Sequence, residues 1–353
     1  MATIGSTWLN LIDMQKTANP KGGVWPVAEL LALTNPILDD AIAVECNAGL
    51  KHMTSIRTGL PDTAWGAIYE GIIQSKSQRQ NVEDTTGFLE AMSSVDKRLI
   101  ELYPGREGAI RLQEAQAFLE AMNQRMARGM FYANEKTSPK EFTGLGPRYS
   151  KLGTSGSGRQ IIDAGGTENL TSLWFVTWSE NATHLIYPQG TQAGIKRENK
   201  GEQRVLDDNG RPYFVLEELF RWHIGMSIRD WRYNVRIANI DIEKVQDGTL
   251  NLYNLLRTAY YRLQSRRQLR PGANFGKNGA GADPTIPMSR IAIYANTDIL
   301  EALDKAGTNA LGGSTDNFVR LVPKELEGKE VLTYRGIPIR ETDALISNEE
   351  RIV

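Results

Sequence analysis

The segment Gly153–Arg159 has the composition of a phosphate-binding loop, with three glycines and two serines in seven residues. The backbone amides of such a loop could cradle a phosphate group. However, no Lys-Ser or Lys-Thr pair follows it, and no strongly apolar strand leads into it. Neither serine has the Gly-x-Ser-x-Gly spacing of a hydrolase nucleophile. A surface loop is therefore favoured, and a phosphate- or nucleotide-binding enzyme remains the alternative.

The residue types that bind metals or act as nucleophiles are few and scattered. The three histidines, His52, His184 and His223, lie too far apart along the chain for two of them to share a helix face as ligands. Cys46 lies near His52, but nothing in the sequence orients the two as nucleophile and base. A single cysteine also excludes a disulfide framework and any CxxC metal site. We therefore expect no catalytic residue, no metal and no cofactor.

Basic residues are concentrated between 248 and 282, a stretch without a single carboxylate. Arg262, Arg266 and Arg270 recur every four residues and are predicted to share one helix face. Carboxylates gather later, from Glu325 onward. Either the basic face is neutralised within the fold, or it meets an acidic surface on a neighbouring copy and guides self-association. Contact with DNA is a third interpretation.

An arm and a long hairpin are predicted in the first 90 residues. Residues 1–45 have scattered apolar side chains between turn signals such as Asn19-Pro20, which indicates an arm. Alternating side chains at 54–58 and around 82–89 predict a long hairpin. A two-stranded ribbon is marginal in isolation, so either something outside the subunit covers it or it is an ordinary surface excursion.

The clearest helix is predicted over 109–133. Apolar side chains recur there at three- and four-residue spacing: Leu112, Ala115, Leu119, Met122, Met126 and Met130. The helix would be roughly 35 Å long. The methionines are interpreted as core packing.

Strand signals dominate the middle of the chain. The apolar runs 173–178 and 184–187 flank a short polar segment and predict a hairpin. A turn is predicted at 207–210, followed by a strand with one buried face over 222–228.

The last hundred residues mix helices and strands. They predict a helix from Leu252 to Leu263, a strand at 290–295, and a helix from Ile299 to Lys305, with Asn296, Thr297 and Asp298 as candidates for its N-cap and Gly307 placed to end it. Two short strands follow at 331–334 and 337–340. This mixed order indicates an α+β fold.

The overall charge of the 353-residue chain is close to balanced, with 41 Lys and Arg against 42 Asp and Glu. Nucleic-acid binding as the main source of affinity is therefore disfavoured, because it needs clustered basic residues. No apolar run approaches the roughly 20 residues that cross a bilayer, and the first 25 residues lack the order of a signal peptide. We expect a soluble intracellular protein without a membrane partner.

Six segments resemble parts of the major capsid protein of tailed bacteriophages, with the Hong Kong ninety-seven-type shell fold. Leu50–Glu90 resembles its extended loop, and Ala109–Ala133 resembles its long spine helix. Tyr334–Ile339 with 341–345 resembles a strand motif near the end of the axial domain, and Ile291–Asn296 resembles its strand-helix unit. Phe142–Leu145 resembles the turn after the spine helix. Ser172–Arg197 is similar to the paired strands of the peripheral domain, although in better-known members those strands follow the Gly-Ile-Pro motif and here they precede it.

The resemblance implies a phage major capsid fold of class α+β with four parts. These are an N-terminal arm (1–45), an extended loop hairpin (46–90), a peripheral domain (91–248) with the spine helix at 109–133 and long strands, and a mainly axial domain (249–353).

The resemblance also implies a function and a set of partners. The chain would be a structural protein that self-assembles as hexamers and pentamers into an icosahedral shell around the double-stranded DNA genome of a tailed phage, without sequence-specific DNA binding. Further partners would be a separate scaffolding protein, a portal at one vertex and a possible decoration protein. The protein would belong to the virion and assemble in the host cytoplasm. A shell protein of a bacterial nanocompartment is the alternative with the same fold.

Candidate contact residues follow from the arm, the loop and the basic face. Aromatic anchors and arginines are enriched where subunits bind tightly. We expect arm and loop contacts from Trp8, Trp25, Arg57, Trp65 and Arg79, and contacts within a capsomer from Arg262, Arg266 and Arg270. Lys51 and Lys76 are assigned no role in a covalent cross-link.

Overall fold

The structure is a computed structural model that describes residues 35–69, 71–102, 107–207, 209–265, 290–309, 321–326 and 329–353. Most of the predicted arm, including Trp8 and Trp25, lies outside the described residues. Arg266 and Arg270 lie outside them as well.

The described residues form short helices at the ends of strands and three longer ones. The helices are α1 (Ile37–Asp40), α2 (Lys97–Glu101), α3 (Glu107–Tyr132), α4 (Leu145–Arg148), α5 (Ile242–Gln246), α6 (Leu252–Arg262) and α7 (Thr297–Asn309). The strands are β1 (Ala43–Glu45), β2 (Lys51–Gly59), β3 (Gln78–Asp96), β4 (Ile161–Asp163), β5 (Leu170–Trp178), β6 (Thr183–Tyr187), β7 (Lys196–Leu206), β8 (Pro212–Ile228), β9 (Val235–Asp241), β10 (Arg290–Ala295), β11 (Val322–Leu326), β12 (Lys329–Tyr334) and β13 (Ile337–Glu341). None of these helices is long and apolar enough to cross a bilayer.

The larger of two compact units comprises 35–87, 127–192 and 224–353. Its central strand β5 is buried along its whole length and pairs antiparallel with β9 on one side and β10 on the other. Beyond β10, the sheet continues with parallel β13 and then antiparallel β12 and β11. Helices α6 and α7 contribute Leu256 and Leu303 to the same core as Phe175 of β5. A strand covered in this way is mostly apolar, and β5 buries three polar residues, Thr171, Ser172 and Thr177, beside its apolar ones.

The smaller unit comprises Phe88–Met126 and Ala193–His223 among the described residues. In it, β7 and β8 pair antiparallel from Lys196↔Arg221 to Leu206↔Pro212. Helix α3 stacks Phe118 on Phe220 of β8, with the ring centroids 6.2 Å apart. Beside this pair, the buried carboxylate of Glu218 binds the guanidinium groups of Arg111 at 2.5 Å and Arg197 at 2.6 Å.

Most of the local predictions are confirmed. The hairpin predicted at 54–58 and 82–89 is formed by β2 and β3, and the long helix is α3, which buries Met122, Met126 and Met130. The turn at 207–210 joins β7 to β8, where Asp207 accepts hydrogen bonds from the backbone N–H groups of Asn209 and Arg211. The predicted cap is also present, because Asn296 Oδ1 accepts from the N–H of Ile299 at 3.0 Å.

The hairpin predicted for 173–178 and 184–187 is wrong. Beyond a single bridge between Trp178 and Thr183, β5 and β6 do not pair. Instead, β6 pairs antiparallel with β8 and parallel with β1, while β5 takes its place between β9 and β10. Both runs are apolar on both faces, so their pattern does not specify a partner. The long antiparallel pair is β7–β8, which lies downstream of most of the predicted segment.

Two helix ends differ from the predicted ones. Helix α6 ends at Arg262, one residue before the predicted end, because Leu263 has extended backbone angles. The helix face predicted for Arg262, Arg266 and Arg270 falls largely outside the described residues. Helix α7 does not stop at Gly307 but continues to Asn309. A glycine favours a helix end without enforcing one.

Candidate functional site: the exposed hairpin and its base

The β2–β3 hairpin is paired from Lys51↔Thr85 to Gly59↔Gln78, and residues 60–77 connect its strands. The nine residues of β2 span roughly 30 Å at about 3.4 Å each. From the Thr54–Val82 pair toward the connecting loop, the residues of both strands are largely exposed. The hairpin is therefore an ordered ribbon that the described chain leaves uncovered.

The connecting loop exposes an unusual number of large apolar side chains. Trp65 and Tyr69 are fully exposed, at 102% and 103% of their reference surface. The exposed set of the loop is Leu60, Trp65, Ile68, Tyr69, Ile72 and Ile73. Single exposed apolar residues are ordinary, whereas a group of this kind marks an interaction surface.

Two of the predicted contact residues lie directly opposite each other on this hairpin. Arg57 of β2 and Arg79 of β3 are cross-strand partners, and both side chains are exposed. Like charges in this position destabilise a ribbon. Among the described residues, no carboxylate forms an ion pair with either arginine, so the pair is available to an acidic group from outside the chain.

The base of the hairpin is held by a buried carboxylate, that of Asp84. Arg148 of α4 binds its Oδ1 at 2.7 Å, and Ser227 of β8 donates to its Oδ2 at 2.7 Å. Arg148 also donates to the carbonyl oxygens of Thr143 and Met226. Because ion pairs of this kind are fully hydrogen-bonded, they fix the geometry of the elements that they join.

Two histidines lie next to this carboxylate. His52 is the cross-strand partner of Asp84, and its ring meets that of buried His184 edge to face, with the centroids 5.3 Å apart. Burial, and secondarily the neighbouring His52 ring, lower the pKa of His184 to about 4. Both rings are therefore neutral at pH 7, and they pack the base of the hairpin without adding charge.

Arg262, a predicted capsomer contact, binds backbone groups of its own chain through one guanidinium nitrogen. Its Nη1 donates to the carbonyl oxygens of Arg159 and Ile161 at 2.8 and 2.9 Å. Burial and the nearby Arg159 lower the pKa of Arg262. The side chain serves its own subunit, and its role in capsomer contacts remains a prediction.

The glycine-rich segment does not form an open phosphate cradle. Gly156–Gln160 is a turn of 3₁₀ helix, and a Cβ on Gly158 would lie only 2.8 Å from the carbonyl oxygen of Lys151. The glycine is required because the loop packs against its own backbone. This geometry explains the composition of the segment without a ligand.

The described residues also contain no cluster of three or more His, Cys, Asp or Glu side chains that could hold a metal ion. Cys46 is buried, and burial together with Glu45 raises the pKa of its thiol. A protonated buried thiol is a poor nucleophile.

Sequence reasoning missed the Asp84–Arg148–Ser227 anchor. The three residues lie far apart along the chain, and each is an ordinary polar residue in its own segment. Only the register of β3 and the position of α4 bring them together.

Comparison with known proteins gives two clear matches. A family profile described as major capsid protein GP7 matches residues 19–353. A chain in the near-atomic structure of bacteriophage Epsilon15 is 30% identical, with a TM-score of 0.74, and the match covers 100% of this chain and 99% of that chain. No curated protein sequence matches the chain.

Two further structures match at lower identity and lower TM-score. The capsid of a native GTA particle is 10% identical, with a TM-score of 0.43, and the match covers 60% of this chain and 92% of that chain. The holo-SrpI encapsulin complex from Synechococcus elongatus is 8% identical, with a TM-score of 0.43, and the match covers 66% of this chain and 96% of that chain.

The fold, with its hairpin, long helix and helix-covered sheet, is the α+β fold of phage capsid proteins. The chain belongs to the family of major capsid proteins described as GP7. It is a structural protein of the phage virion, where copies of it build the capsid shell.

Proposed function

We propose that this chain forms the hexamers and pentamers of an icosahedral shell around the double-stranded DNA genome of a tailed phage, and that it has no catalytic activity. The membership of the major capsid protein family supports this assignment. In this proposal, the β2–β3 hairpin of each subunit lies on a neighbouring copy. The hairpin loop and the Arg57–Arg79 pair are its contact surfaces.

One observation carries the proposal, namely the exposed apolar loop on a firmly anchored hairpin. Burial of a single Leu, Ile or Trp side chain is worth about 1.5–3 kcal/mol. The five Leu, Ile and Trp side chains of the loop would contribute on the order of 10 kcal/mol before the entropy cost of association is subtracted. Because the Asp84 anchor already orders the base of the hairpin, part of that entropy cost falls on folding instead of assembly.

The further partners follow from the same proposal. A scaffolding protein, a portal at one vertex and a decoration protein would act on the assembling or finished shell, and assembly would take place in the host cytoplasm. The nearly balanced charge of the chain supports enclosure of DNA without tight adhesion to it. Trp8, Trp25, Arg266 and Arg270 remain proposed contacts.

The experiment compares shell formation by the wild-type protein and by a loop variant. Purified protein is examined by negative-stain microscopy and by sedimentation over a range of concentrations. The double variant Trp65→Ser/Ile68→Ser removes two exposed apolar side chains and should raise the concentration needed for assembly at least tenfold, since each 1.4 kcal/mol changes an equilibrium tenfold.

Leu112→Ser is the matched control, because Leu112 is 52% exposed on α3, outside the loop. We expect it to assemble like the wild type, and both variants should unfold at the wild-type temperature as free subunits. Wild-type protein that stays a monomer under all conditions would contradict the proposed function. A loop variant that assembles normally would contradict the assigned contact.

A further inference from the structure

The turn between β12 and β13 presents an arginine that is held in place by tyrosines. The guanidinium carbon of Arg335 lies 5.0 Å from the ring centroid of Tyr260, 5.4 Å from that of Tyr261 and 5.7 Å from that of Tyr334. Its Nη1 donates a long hydrogen bond of 3.4 Å to the hydroxyl of Tyr261. Cation–π contacts of this kind restrict the side chain while leaving most of its N–H donors unused.

The backbone of the same turn is strained. Arg335 has a φ of 52° and Gly336 a φ of 82°, which is the arrangement of a two-residue hairpin turn that favours Asn or Gly at both positions. An arginine in the left-handed region costs stability on the order of 1 kcal/mol. A strained residue with an ordered functional group at an exposed tip indicates a role that stability does not explain.

A second positive charge lies near the Arg335 turn. Arg257, also exposed, lies close enough to act electrostatically on Tyr334. Among the side chains that the structure describes, which do not include those of 322–330, no carboxylate forms an ion pair with Arg257 or Arg335. Helix α6 itself carries Arg257 and Arg262 and no acidic residue.

The opposite end of α6 borders an acidic surface. The segments 242–247 and 297–306 contain five carboxylates against two lysines, and α5 and α7 touch through Lys305, which donates to the carbonyl oxygen of Gln246. Asp247 and Glu301 are exposed on these segments. Tyr253, in the first turn of α6, bonds the carbonyl oxygen of Leu303 in α7, whereas Tyr260 and Tyr261 lie in its last turn. The Arg335 turn and the acidic surface are thus separated by roughly 12 Å along the helix.

We propose that the Arg335 turn of one subunit docks on the α5–α7 acidic surface of the next copy, with Asp247 and Glu301 as the carboxylates that receive it. Because the two surfaces are different and lie at opposite ends of α6, the contact is head-to-tail and can close into a ring of copies. The inference rests on the proposed function and names residues for the contact within a capsomer. An exposed guanidinium that is already oriented loses little freedom when it binds a carboxylate.

The test uses charge reversal and rescue in the full-length protein. Arg335→Glu should raise the concentration needed for shell formation at least tenfold, as measured by sedimentation and negative-stain microscopy. Adding Glu301→Arg, or Asp247→Arg, should restore at least half of the lost assembly. Arg351→Glu is the matched control, because Arg351 is exposed in the same unit and has no ion-pair partner among the described residues.

A second variant separates folding from docking. Arg335→Gly suits the left-handed backbone, so the free subunit should unfold at the same temperature as the wild type or higher, and assembly should still weaken. Normal assembly by both Arg335 variants would overturn the inference while leaving wild-type shells, and so the proposed function, intact. Failure of both charge swaps to rescue Arg335→Glu would overturn the assignment of the acidic surface.

Discussion

At the scale of single residues, the base of the hairpin combines a buried charge with two neutral rings. Asp84 is ionically paired with Arg148, while His184 is almost fully buried beside His52. Arg229 lies close enough to oppose a further positive charge there. A proton added to His184 would therefore be placed in a buried site away from water. The carboxylate of Asp84, already paired with Arg148, would attract it, and Arg229 would oppose it.

This arrangement predicts an acid-sensitive subunit. The pKa of His184 is about 4 in the folded chain and about 6.5 for an ordinary histidine. Between these values the unfolded chain binds the proton more tightly, so stability falls as the pH falls from 6.5 to 4. Between pH 7.5 and 5.0, the part of the loss due to His184 should be about 2 kcal/mol.

The measurement is urea unfolding of the unassembled subunit at both pH values. His184→Phe keeps an aromatic ring against His52 and cannot be protonated, so its stability should change by about 2 kcal/mol less than that of the wild type. His223→Phe is the control, since that ring lies on the partly exposed surface beside Phe88. Equal pH dependence in the wild type and His184→Phe would contradict the prediction.

At the scale of elements, the hairpin carries the Arg57–Arg79 pair, which destabilises the free hairpin and which we propose as a contact in the shell. Arg79→Glu or Arg57→Glu alone makes the cross-strand pair attractive and should stabilise the hairpin of the free subunit by about 0.2–1 kcal/mol. The double variant places two carboxylates opposite each other and should return the hairpin to wild-type stability. Hydrogen exchange of the β2 and β3 amides reports this local change.

Shell formation by the same variants tests the proposed contact with an acidic neighbour. Each single reversal should weaken assembly although the free hairpin is more stable. If both single variants assemble as readily as the wild type, the arginine pair has no such contact.

The elements of this fold could be predicted where the signal is local. The hairpin of β2 and β3, helix α3 and the cap at Asn296 depend on alternation, helical spacing or one side chain, and all three were readable from the sequence. The end of α6 was predicted to within one residue, because the apolar spacing stops at Leu263, where the backbone leaves the helix.

Long-range pairing could not be predicted in the same way. Strand β5 finds its neighbours β9 and β10 at distances of about 60 and 120 residues along the chain, and its apolar run Leu173–Val176 suits any buried position. The candidate site shows the same limit. The exposed loop with Trp65 was predictable, but the register that brings Arg57 to Arg79, and Asp84 to Arg148, exists only in the folded chain.

At the scale of the whole molecule, the residues near position 350 fasten distant parts of the larger unit together. The carboxylate of Glu349 accepts hydrogen bonds from Tyr132 at the end of α3, Ser172 of β5 and Arg236 of β9. Nearby, the backbone N–H and C=O groups of Ile352 bond the side chain of Asn239. A segment with such contacts stabilises the sheet on which the proposed assembly surfaces depend.

The Glu349 carboxylate should therefore be one of the most sensitive positions in the free subunit. Its side chain and that of Arg236 are 5% and 6% exposed and 2.7 Å apart, so Glu349→Gln would leave a buried guanidinium without its counter-charge. Loss of one partner of a buried pair costs about 3–5 kcal/mol. Glu350→Gln removes the same charge from an exposed neighbour and should change stability by less than about 0.5 kcal/mol. Chemical denaturation of both free subunits is the measurement. Equal midpoints would show that the Glu349 network does not hold the larger unit together, whereas a selective loss in Glu349→Gln would show that this buried charge network stabilises the subunit before any assembly.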